Sequence, residues 1–164
     1  THHVYWRFDF DIVQPNNKVF RVERGRKFLT PLLKETSFLR ETQTNRRLLI
    51  QNANGDEAYQ LTPSMNDGSV TDNFGNLTDT FGGGDFWIMQ FKGTAASPLE
   101  IDDPNSGAAA NISPWINGES INNQDLVVWY SAHQFRQDDT SLTNTENIIN
   151  GVHVVGPTLR PIRW

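Results

Sequence analysis

The sequence predicts an all-β protein, an antiparallel β-sandwich with long irregular loops. Three observations predict it. Apolar and polar side chains alternate with a period of two in the patterned segments. No stretch carries the repeat of a long amphipathic helix. The strand-like segments are joined by long, turn-rich connections. With 164 residues, the chain is long enough for one domain with a real core and too short for two, so residues 1–164 are read as a single domain.

Residues 4–13 alternate aromatic with polar or charged side chains, as a half-buried strand does. Pro15-Asn16-Asn17 is a turn, and Lys18 to Glu23 is the returning strand. Arg46 to Asn52 is a further strand, and Asn54-Gly55 is a hairpin signal because both residues tolerate the positive φ of primed turns. Ala58 to Thr62 is its partner, stopped by Pro63. Ser64 to Gly84, rich in Asn, Asp, Ser, Thr and Gly, is a long surface loop. Asp85 to Lys92 returns to strand character, residues 94–124 are mostly irregular, and Asp125 to Ala132 is the most apolar run and the central strand. Val152 to Val155 leads into Gly156-Pro157-Thr158-Leu159-Arg160-Pro161.

Composition excludes several functions. A net charge of −5 argues against a general nucleic-acid binder, which needs a basic surface for counterion release. Arg24, Arg26 and Lys27, like Arg46 and Arg47, read as solvated loop or strand edge. Without cysteine there is no disulfide, thiolate zinc site or cysteine nucleophile. No apolar run reaches the length of a membrane span, and no signal peptide is visible. Gly82-Gly83-Gly84 is not a phosphate loop, since no Gly-Lys-Ser/Thr follows. The triplets Asn76-Leu77-Thr78 and Asn111-Ile112-Ser113 match the glycosylation sequon, which matters if a eukaryotic cell secretes the protein. The compartment stays open, with secretion or the cell surface among the choices. The start at Thr1, without Met and inside a strand pattern, suggests a processed chain or part of a longer polypeptide.

Three groups carry chemistry. On a strand, Asp9 and Asp11 face the same way, about 7 Å apart, and repel unless solvated or neutralised by a cation. Calcium takes carboxylate and carbonyl oxygens, and the intervening Phe10 carbonyl is a candidate; from these residues alone a solvated strand edge is the preferred reading. His2 and His3 are adjacent, so they face opposite ways and do not readily serve one metal. His133 and Arg136, with Asp138-Asp139 just beyond, follow the apolar strand. A histidine there can be a ligand, a general base or a polar cap. No serine–histidine–acid spacing points to a hydrolase.

Taken together, these segments resemble the C-terminal part of the copper amine oxidase catalytic domain. That family is a large β-sandwich that oxidises primary amines with copper and a quinone (topaquinone) made from one of its own tyrosines. The residues that carry the likeness are the Arg-Phe-Asp-Phe-Asp strand ending at Asp11, the Asn52 to Pro63 hairpin, and Trp115-Ile116-Asn117-Gly118-Glu119-Ser120-Ile121 followed by Gln124 to Trp129. Val152 to Pro161 closes the match, which covers most of the chain in order.

The resemblance implies two metal sites of unequal completeness. For copper, the second histidine of the family's His-x-His falls on His2, which leaves the first just before Thr1. The third copper position falls on Arg136, a poor copper ligand because it is permanently cationic; His133 lies three residues early. The quinone tyrosine and catalytic aspartate belong to sequence before the His-x-His. For calcium, every position is present: the carboxylates of Asp9, Asp11 and Asp125 and the carbonyls of Phe10 and Leu126. With water they suit a six- or seven-coordinate ion of structural role, stapling two sequence-distant strands.

The expected function is therefore part of an amine oxidase, completed by the rest of the same protein or by a homo-oligomer, with copper and topaquinone present only in the complete assembly. A catalytically silent sandwich that keeps its calcium site is the alternative. A third reading, an unrelated all-β binding module, needs a surface aromatic platform, whereas Trp87 and Trp129 fall on strand patterns typical of a core.

Overall fold

The computed structural model describes residues 2–22, 28–40, 47–64, 67, 84–91, 112–134 and 154–163. Nine strands appear among them: β1 (His2–Phe10), β2 (Asn16–Val22), β3 (Leu29–Leu32), β4 (Thr36–Phe38), β5 (Arg47–Asn52), β6 (Glu57–Thr62), β7 (Phe86–Gln90), β8 (Gln124–Gln134) and β9 (Thr158–Arg163). All pairings are antiparallel. The described residues contain no α-helix, only a single 3-10 turn at Ser113–Trp115.

The strands run in the order β4-β7-β8-β2-β5-β6-β9, with β1 on β8 and β3 on β2. The ladder folds into two leaves, β4-β7-β8-β1 and the strands around β2, β5, β6 and β9. They join where Asn16 and Asn17 pair with Asp125 and Gln124. Between the leaves lies the main core. Phe10, Phe86, Ile88, Leu126, Val128, Tyr130 and Ala132 from the first leaf meet Val19, Leu48, Ile50 and Leu61 from the second. Alternation places the other side chains of β7 and β8 on the opposite face. There Trp87, Met89, Val127 and Trp129 pack with Ile112 and Trp115. Burial on both faces explains why 85–92 and 125–132 read as continuous apolar runs rather than alternating ones, and why these two tryptophans form no exposed platform.

The remaining differences from expectation have local causes. Asn16 and Asn17 open β2 rather than forming its turn; the chain reverses over residues 11–15, with Val13 at φ 67°. In the 53–56 turn only Gly55 has positive φ, at 87°, so the turn is not a primed pair. The Asn52 side chain holds it instead, its Oδ1 accepting the amides of Gly55, Asp56 and Glu57 at 2.8, 3.1 and 3.3 Å. β3 and β4 are short, and nothing in their composition marks them. The buried Glu35 between them accepts the Gln90 amide at Oε1 (3.1 Å) and the Asn117 amide at Oε2 (2.9 Å). Glu35 thereby ties the irregular Trp115–Ile121 segment to the first leaf. Asp67, expected on a surface loop, is buried.

Candidate metal centre

β1 and β8 lie side by side with Asp9 opposite Val127 and Phe10 opposite Leu126. β1 ends there, and β2 takes up the next position on β8, Asn16 opposite Asp125. The reversal at 11–15 therefore lies at the junction of the two leaves, with Asp11 at its start. This brings Asp9, Asp11 and Asp125 together, each offering a carboxylate oxygen, all within 4.8 Å of one another. Asp9 and Asp11 are exposed and Asp125 is half-buried.

Electrostatics follow from that crowding. Burial, then the negative charges of Asp9 and Asp11, push the Asp125 carboxyl above its ordinary range; the Leu126 amide and the Arg7 guanidinium pull the other way. Arg7 Nη2 stands 3.3 Å from Asp9 Oδ2. Three carboxylates against this one guanidinium leave about two negative charges, which a divalent cation would match. Asp125 Oδ1 is buried without a hydrogen-bond partner among the described residues. An orphaned carboxylate oxygen facing two like charges is costly unless an ion takes it, so these residues fit a calcium ion. The Phe10 carbonyl accepts a bond from Asn17 Nδ2 at 2.6 Å.

Of the candidate copper residues, only His133 has its side chain among the described residues. The His2 backbone pairs with Gln134, but its side chain, Thr1, Arg136 and Asp138-Asp139 lie outside the described residues. So do Arg24, Arg26, Lys27, Arg46 and the asparagines of both sequons. His133 is buried, with Nε2 2.8 Å from Ser131 Oγ and 3.3 Å from Asp85 Oδ1. Ser131 Oγ is also 3.2 Å from the Gly84 carbonyl, to which it donates. It therefore accepts from Nε2, whose lone pair is then not available to a metal. The described residues thus form no copper site. Nor do serine, histidine and aspartate form a hydrolytic triad, because a triad places hydroxyl and carboxylate on opposite ring nitrogens.

A buried polar network beside this histidine has no signature in the sequence. Arg40 Nη1 donates to the Tyr130 hydroxyl, which donates to Asp67 Oδ2. Asp67 Oδ2 also accepts the Ser64 amide at 2.9 Å, and its Oδ1 accepts the Gly156 amide at 2.7 Å. The Arg40 amide donates to Asp85 Oδ2 at 2.6 Å. Burial above all raises the Tyr130 phenol, and hydrogen bonding to Asp67 adds to it, against the pull of Arg40. Arg40 and Asp67 sit in polar, patternless stretches, so no periodicity marks them as interior.

An all-β sandwich with a cluster of three carboxylates at the junction of its leaves is the class that fold and geometry define. Among solved structures, it is similar to a copper-containing benzylamine oxidase from Hansenula polymorpha, with 18% identity and a TM-score of 0.56 over 98% of this chain. It is also similar to the amine oxidase of Aspergillus nidulans (22%, 0.51, 80% of this chain) and the lysyl oxidase of Pichia pastoris (15%, 0.50, 79%). The chain has the fold found in part of these amine oxidases and spans 22–28% of their length. No family model and no curated protein matches the sequence. No helix among the described residues is long and apolar enough to cross a membrane.

Proposed function

We propose that this chain, residues 1–164 acting as one domain, forms the C-terminal part of the catalytic sandwich of a copper amine oxidase-like protein that oxidatively deaminates primary amines. Within it, Asp9, Asp11 and Asp125, with the Phe10 and Leu126 carbonyls, hold a structural calcium ion. The observation that carries this reading is the meeting of Asp9-Phe10-Asp11 with Asp125 in one cluster. The ion supplies positive charge that joins β1 to the start of β8. The carboxylates provide charge and the carbonyls fill the remaining positions.

Oxidation requires groups from outside this chain. Tyr5, Tyr59 and Tyr130 follow Val4, Ala58 and Trp129, so none lies in an Asn-Tyr quinone motif. Copper would take His2 together with histidines from the rest of the protein, in one polypeptide or a homo-oligomer. The test is expression with the preceding sequence. Primary amine should then drive hydrogen peroxide production, with copper and calcium both present by metal analysis. A copper-loaded assembly without turnover sinks the oxidase reading.

The occupation of His133 Nε2 by Ser131 and Asp85, with Arg136 at the third copper position, favours a second reading. In it, the sandwich is catalytically silent and keeps its calcium site for structure. That reading expects calcium without stoichiometric copper; copper bound by three nitrogen ligands would overturn it.

A further inference from the structure

Asn17 is completely buried where β2 pairs with both β5 and β8. Its Nδ2 donates to the Phe10 carbonyl at 2.6 Å and to the Pro15 carbonyl at 2.6 Å, with the Gln14 carbonyl at 3.4 Å. One amide thus grips the reversal from both ends. Between those ends stand Asp11 and Val13, the latter at φ 67°, a conformation that β-branched residues rarely adopt. The Asn17 Oδ1 is buried without a partner among the described residues. Leaving an acceptor unpaired costs stability, so the clamp is not the arrangement that stability alone favours.

We infer that Asn17 is a positioning residue for the cation site, an inference that rests on the calcium reading above. Its amide holds the strained 11–15 reversal closed and aims the Phe10 carbonyl and Asp11 carboxylate toward Asp125. Asn17 fixes the direction of the Phe10 carbonyl by donating to it at 2.6 Å. Without the clamp, Val13 relaxes, and two of the five proposed ligand groups lose their fixed direction. Calcium affinity then falls because the ion must order the reversal itself.

Calcium titration calorimetry on the full chain tests this, with urea unfolding on the same samples. Asn17→Ala should weaken calcium binding by about tenfold or more. The control is Tyr130→Phe, which removes a buried hydroxyl five positions further along β8 than Asp125. It should lower stability yet leave calcium affinity unchanged. Should Asn17→Ala not fold, Asn17→Ser, whose single hydroxyl cannot grip both carbonyls, carries the same comparison. Wild-type affinity in either folded Asn17 variant overturns the inference while leaving the calcium site in place. Absence of calcium binding in the wild-type chain overturns the site and the inference with it.

Discussion

Asp9 and Asp125, far apart in sequence, bring carboxylate oxygens within 4.8 Å of each other across the β1–β8 pair. Like charges held this close by two strands set β1 against β8 until a cation intervenes. Calcium at a hundred times its dissociation constant should add about 2.7 kcal/mol of stability by mass action. That corresponds to a rise of about 5–10 °C in melting temperature, reversed by EGTA. Asp9→Asn and Asp11→Asn should each lose most of the rise. Thermal scans that are superimposable with and without calcium would refute the site.

Asp125→Asn separates repulsion from ligation. In EGTA at pH 7 the variant should melt about 2–4 °C above the parent, since it removes one of three clustered charges, and calcium should no longer help it. The pH dependence follows from the raised carboxyl of Asp125. Metal-free, the folded state holds that proton more tightly than the unfolded chain. The stability it contributes is complete below the ordinary value of 3.8 and is lost as pH rises through the raised one. Bound calcium favours the ionised form and reverses the sign, so its increment fades as pH falls. Melting temperature against pH, with and without calcium, reads both slopes.

The Arg40–Tyr130–Asp67 chain should be among the costliest sites to break. Arg40→Met leaves Asp67 buried without its cation, at a cost of about 3–5 kcal/mol. Tyr130→Phe removes the hydroxyl between them, at about 1–3 kcal/mol. Because the residues act as one network, the double variant should cost less than the sum. Urea midpoints of the three variants check this.

Gly156 has φ 121°, and a Cβ there would lie 2.8 Å from Cζ2 of Trp6. Gly156→Ala should therefore cost about 1–3 kcal/mol from crowding and backbone strain. Adding Trp6→Leu should relieve the crowding but not the strain, so recovery in unfolding experiments should be partial.

Alternation made β1 legible in the sequence, while β2, β5 and β6 were legible from strand-forming runs bounded by turn signals such as Asn54-Gly55. The apolar run of β8 marked it as the central strand. The carboxylate cluster was legible too, because Asp9 and Asp11 share a face by strand geometry and the family resemblance supplied Asp125. What escaped depends on tertiary position. Arg40, Asp67 and Glu35 are charged residues in irregular stretches, and only the packing of distant strands puts them inside. Asn17 looked like a turn residue because asparagine favours turns; pairing with β5 and β8 made it a strand residue whose side chain serves the turn next to it.

The pairing of β1 with β8 carries a kinetic consequence. Residues 2–10 find their partners only at 126–134, so this ladder closes a loop spanning most of the chain. Closing such a loop is entropically slow, and folding rates fall as contacts become less local. The β5–β6 hairpin, by contrast, can form from neighbouring residues. Docking of β1 should then come late in refolding, and the proposed calcium ligands, split between its end and the start of β8, would assemble with it. Calcium added during refolding should therefore slow unfolding far more than it speeds folding.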